Sequence, residues 1–162
     1  MNAGVSISLT LSLALAACGD DAAVAVDAAA GSCQPICNAL ALPAVVTKTA
    51  RATARPAFTG GAIADGTYAV TAVIDYGTTT PGGTTVQEIY RFAGGAIETA
   101  IASSEMAETH FCGSYTTAAN LVTFDITCPL TRSISLQYTA TPTTFEFQHG
   151  SDQNEVATAT KQ

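Results

Sequence analysis

Between Asp65 and His149 apolar and polar residues alternate in short runs, broken about every ten residues by turn formers, the pattern of an antiparallel all-β domain. In the first run Tyr68, Val70, Ala72, Ile74 and Tyr76 share a face, with Thr67, Thr71 and Asp75 opposite, and the stretch Gly77 to Gly83 ends it. Val86, Tyr90 and Phe92 mark the next strand, and Gly94-Gly95 suits a tight hairpin with positive φ. Ile97 and Ile101 mark a third, and Phe111, Gly113 and Tyr115 a fourth. Ala118-Ala119-Asn120 then turns the chain, with Asn120 as the residue that tolerates the left-handed conformation. Val122, Phe124 and Ile126 follow, then Ile134, Leu136, Tyr138 and Ala140, then Phe145 and Phe147 after Pro142. One further strand is available in Leu42 to Thr49, and the polar tail 151–162 is expected to be disordered.

No stretch of this region has a helical period. Short meandering strands must hide their edges, and closing on themselves is the arrangement that removes them. The expected fold is therefore all-β, an antiparallel up-and-down meander or small barrel of about seven to eight strands over residues 61–150. Its interior should hold Tyr68, Val70, Ile74, Tyr90, Phe92, Phe111, Tyr115, Phe124, Ile126, Leu136 and Phe145. Residues 18–60 read as a flexible low-complexity linker. Asp20 to Ser32 is a run of small residues that cannot bury enough apolar surface to fold alone, and Cys33 to Gly61 has no clear period.

The N-terminus carries a different signal. An apolar run from Val5, too short to cross a hydrocarbon core of roughly 30 Å, closes with Leu15-Ala16-Ala17-Cys18. This resembles the lipobox of bacterial lipoprotein precursors. Met1 to Gly4 departs from the usual signal peptide in having no Lys or Arg, which a start further upstream would explain. The resemblance implies a signal peptide over 1–17 and a diacylglycerol-modified Cys18 as the mature N-terminus, hence a domain tethered to the cell envelope. Each buried methylene of such an anchor contributes about 0.8 kcal/mol. Gly19 follows the cysteine where Asp would favour the inner membrane, so an outer-membrane address is implied. Further along, Asp65-Gly66-Thr67-Tyr68, Gly113-Ser114-Tyr115, Thr127-Cys128-Pro129 and Tyr138-Thr139-Ala140 resemble lipocalin-like domains of bacterial lipoproteins, although the chain has no Trp. That resemblance implies a barrel that binds a small apolar ligand.

Charge and cysteines narrow the classes. A net charge of -7 with six Lys and Arg leaves no basic footprint for nucleic acid. The chain has five cysteines, and lipidating Cys18 leaves Cys33, Cys37, Cys112 and Cys128, an even set for an oxidising compartment. Spacing favours Cys33 with Cys37 and Cys112 with Cys128, the crossed pairings that would pin the N-terminal segment to the barrel being the alternative.

Candidate chemistry is sparse. Glu108, His110 and Cys112 alternate on one face at a spacing zinc could use, but solvated side chains and a disulfide are the plainer reading, so no metal is expected. His149-Gly150-Ser151-Asp152 holds hydrolase-type residues without a nucleophile elbow and reads as a frayed tail. Glu88 shares the register of Val86, Tyr90 and Phe92, so it should face the interior, where a carboxylate needs a partner, unless a bulge or the rim turns it to solvent. It is the candidate polar handle for a ligand, with Tyr68, Tyr90, Phe92 and Tyr115 as aromatic surroundings. No catalytic constellation or cofactor motif is present in the pattern. The expected role is that of a lipid-anchored envelope protein acting structurally or by interaction with another envelope component, the alternative being a lipocalin-like binder of a small hydrophobic molecule.

Overall fold

The computed structural model describes residues 37–150 and 153–162, and every regular element among them is a strand. In chain order these are β1 (Val46–Thr47), β2 (Thr49–Arg51), β3 (Gly66–Tyr76), β4 (Thr85–Ala93), β5 (Ala96–Ser103), β6 (Met106–Ala118), β7 (Leu121–Cys128), β8 (Arg132–Ala140), β9 (Thr144–Gln148) and β10 (Glu155–Lys161). From β3 onward each strand pairs antiparallel with its neighbour in sequence. β10 then returns to β3, closing an eight-stranded up-and-down barrel consistent with a lipocalin-like one.

Alternation accounts for the core. Tyr68, Tyr90, Phe92, Phe111, Phe124, Ile126 and Phe145 all lie buried in one central cluster, with Tyr115 and Leu136 partly buried against it. Charged residues such as Arg91, Glu98 and Asp125 take the alternate, outward positions on β4, β5 and β7. This polarity is the inverse of a lipid-spanning barrel, whose apolar band faces out.

The structure corrects four expectations. The tail beyond Gly150 is not frayed: Glu155–Lys161 is the strand that closes the barrel, with Ala157 and Ala159 fully buried. Small side chains suffice there because Phe145 and Phe147 on the adjoining β9 supply the bulk. Ile74 faces outward. The β3–β10 register slips near Thr71, and the bulge passes the inward position to Val73, leaving Ile74 and Tyr76 in a small outer cluster with Phe58 and Val156. The left-handed residue of the β6–β7 turn is Ala119, at φ 53°, rather than Asn120, whereas Gly94 and Gly95 do take φ of 55° and 86°.

The fourth correction concerns residues 37–60, which form a strap rather than a loose linker. Cys37 is disulfide-bonded to Cys112, a crossed pairing, so neither Cys33–Cys37 nor Cys112–Cys128 forms. Cys112 points outward from β6 as alternation requires, and that is the face the strap crosses. Next to it the Asn38 amide donates to the Thr99 and Phe111 carbonyls, at 3.2 Å each. Cys128 lies directly across from Cys112 because an extra residue in β7 shifts the register there, and it is buried. Further along, β1 pairs with β4 and β2 runs parallel to β3. The strap ends beneath the barrel, where Gly60 exchanges backbone hydrogen bonds with β8.

Candidate functional site

The two ends of the barrel are built differently. At the end where β3 begins, residues 60–65 form a plug: Ile63 packs on the core, the Tyr68 hydroxyl donates to the Ala64 carbonyl at 2.8 Å, and the Tyr138 hydroxyl to the Gly61 carbonyl at 2.6 Å. At the opposite end β3 and β4 part company. Their pairing runs only from Gly66–Phe92 to Ala69–Ile89, and beyond it β1 lies on β4 and β2 on β3. A cavity of about 520 Å³ opens at this end, with Val86, Ile101, Ile134, Leu136 and Phe147 among its walls.

Four polar side chains on the cavity, Lys48, Glu88, Tyr90 and His149, are joined through Glu155 into one chain of hydrogen bonds. Lys48, held between β1 and β2, donates to Glu155 Oε2 at 2.9 Å. The His149 ring joins the two carboxylates, Nδ1 to Glu155 Oε1 and Nε2 to Glu88 Oε1, the latter at 2.6 Å. The Tyr90 hydroxyl completes the set by donating to Glu88 Oε2 at 2.7 Å. Every carboxylate oxygen of Glu88 and Glu155 thus has a donor, which is what allows both to be buried.

The electrostatics follow from that geometry. Burial is the strongest single influence on His149 and lowers its pKa, but hydrogen bonds to Glu155 and Glu88, reinforced by their charges, outweigh it and raise the pKa to about 9. Burial likewise raises the Glu155 carboxyl, and the opposing hydrogen bonds and charges of His149 and Lys48 bring it below its ordinary value. Burial first, then the charge and hydrogen bond of Glu88, push the Tyr90 phenol well above 10. At neutral pH His149 is therefore an imidazolium and Glu155 a carboxylate. An imidazolium that donates from both nitrogens has no lone pair with which to take a proton, so in this arrangement His149 is not poised as a base.

Of the residues singled out in the sequence, Glu88 and Tyr90 line this cavity, while Tyr68, Phe92 and Tyr115 do not. Tyr68 belongs to the plugged end, and Phe92 sits fully buried at the centre, edge-on to Tyr68, Tyr115 and Phe145. His149 is a hub of the site instead of part of a tail; Ser151 and Asp152 lie outside the described residues, as do Cys18 and Cys33. Glu108 and His110 form no metal site with Cys112, whose sulfur is in the disulfide. Both His110 nitrogens are engaged, by Asn38 at 2.9 Å and Glu108 at 3.0 Å, and no cluster among the described residues could hold a metal ion.

Glu155, Lys48 and Arg132 are site residues the sequence pattern did not single out. His149 and Arg132 had a readable signal, since each continues the inward register of its strand, from Phe145 and Phe147 and from Ile134, Leu136 and Tyr138. Lys48 had none. No protein family, curated protein or solved structure matches this chain. What the site does must be read from its own residues.

Proposed function

We propose that the barrel is a binding module for a small, largely apolar ligand, entered through the mouth where β3 and β4 separate. The observation that carries this is the cavity of about 520 Å³, within the size range of small-molecule sites, whose aliphatic and aromatic walls of Val86, Ile101, Ile134, Leu136 and Phe147 are joined by polar side chains including Lys48, Glu88, Glu105, Arg132 and His149. A structural or purely interactive role would need no such space, and side chains alone can fill an eight-stranded barrel, as they do at the plugged end. We further propose that Cys18 carries the lipid, so that binding takes place at an envelope membrane, the outer one on the evidence of Gly19, Asp20 and Asp21.

Titrating the neutral probe N-phenyl-1-naphthylamine into the full chain carrying Cys18→Ser should give saturable fluorescence. Ile134→Trp, which fills the cavity, should abolish it without changing the far-ultraviolet circular dichroism. Absence of saturable binding by the parent would overturn the reading. The intact mass of the protein from the membrane fraction should exceed the Cys18–Gln162 polypeptide by at least a diacylglyceryl group; an unmodified chain would overturn the anchor.

A further inference from the structure

Below the mouth lies a second space of about 100 Å³, walled by Ile97, Phe111, Phe124 and Ile126 and sharing Tyr90, Ile101, Arg132, Ile134 and Leu136 with the larger cavity. One polar atom is out of place in it. Thr99, inward on β5 between Ile97 and Ile101, is 6% exposed, and its hydroxyl oxygen makes no hydrogen bond. Nearly all buried polar groups in folded proteins are satisfied, and one left unmet is destabilising.

Water is a poor answer to that hydroxyl. A buried water needs about two to four polar partners. The other polar side chains on these walls are Tyr90, whose proton is already given to Glu88, and Arg132, an exposed residue whose guanidinium lies over the Phe111 ring. A carbonyl oxygen needs only the one donor that Thr99 supplies, and an alcohol or phenol, with one proton to place where water has two, can exchange a single hydrogen bond with it. The space is also smaller than the roughly 150 Å³ in which a protein cavity holds benzene, so it suits the tip of a molecule whose body occupies the mouth.

We propose, resting on the ligand-binding reading above, that the ligand is an apolar molecule with a single oxygen function at its leading end, an alcohol, phenol or ketone, which Thr99 receives in the inner pocket. The hydroxyl is then an unmet group in the empty barrel and a specificity determinant in the filled one.

The test is a matched pair of competitors, hexan-1-ol and n-hexane, displacing N-phenyl-1-naphthylamine from the full chain with Cys18→Ser and from the same chain with Thr99→Val. The near-isosteric change should weaken hexan-1-ol about three- to tenfold, the worth of one hydrogen bond. It should leave n-hexane unweakened and raise the melting temperature of the empty protein. An unchanged hexan-1-ol affinity, an equal loss for both competitors, or a lower melting temperature would each overturn the proposal while leaving the binding reading intact. Failure of the probe to bind either protein would overturn the binding reading itself.

Discussion

The plugged end and the open end of this barrel are made from the same eight strands, yet they solve opposite problems. At the plug, tyrosine hydroxyls of Tyr68 and Tyr138 reach backbone carbonyls of residues 61 and 64, and rings fill the space above them: Phe92 alone lies within 5.0 to 6.4 Å, centroid to centroid, of Tyr68, Tyr90, Tyr115, Phe124 and Phe145. At the mouth, bulk is replaced by charge, and a cavity is left. Stability and a vacant interior are thus placed at opposite ends of one sheet, so an opening at one end need not loosen the other.

Truncation separates the two ends most sharply. Phe92→Ala should cost about 3 to 5 kcal/mol in urea denaturation, because it removes a fully buried ring from a packed cluster. Ile134→Ala, on a wall that already borders open space, should cost about 1 kcal/mol. Equal losses would mean the mouth is packed like the plug.

Breaking the strap comes next. The Cys37–Cys112 bridge closes a separation of 75 residues, and Cys37→Ser should lower stability by about 2 to 4 kcal/mol. If all four cysteines after Cys18 pair, the complement is Cys33 with Cys128, and non-reducing peptide mapping should recover both linked peptides.

The mouth should also be the pH-sensitive end. A His149 pKa raised to about 9 stabilises the fold fully below pH 6.5, and that contribution, on the order of 3 kcal/mol, fades as pH rises through 9. Tyr90, raised as an acid, adds loss of the same sign above pH 10. Glu155, lowered, acts at the other limit: its contribution holds above pH 4.5 and is lost on acidification. Melting temperatures of the parent should therefore decline between pH 6.5 and 9, and His149→Gln should remove that decline. Phe92→Ala should keep it.

The smallest effect belongs to the plugged end. Ala119→Gly relieves a left-handed alanine and should stabilise by about 0.5 kcal/mol, measured as a small rise in melting temperature.

How much of this was legible in the sequence depended on the size of the signal at each position. Seven barrel strands could be read because large apolar side chains mark their inward faces. β10 was missed because its inward positions are Ala157 and Ala159, which are small and look like part of a polar tail. Ile74 was misplaced because alternation says nothing of a bulge, and one extra residue reverses every face beyond it. Glu88 was found by register alone. Its partner His149, 61 residues away, was not, nor were Glu155 and Lys48 beyond that ring, because these groups come together only once the barrel closes.

The parting of β3 and β4 has a consequence for how the molecule behaves among its own copies. A barrel resists strand-to-strand association because it has no edges, and this one has two, the lips of the split. β1 and β2 lie along them, one antiparallel and one parallel, each only a few residues long. Residues 46–51 therefore act as a selvage, finishing an edge that would otherwise unravel into its neighbours. A chain deprived of them would be a candidate for aggregation before it was a candidate for unfolding.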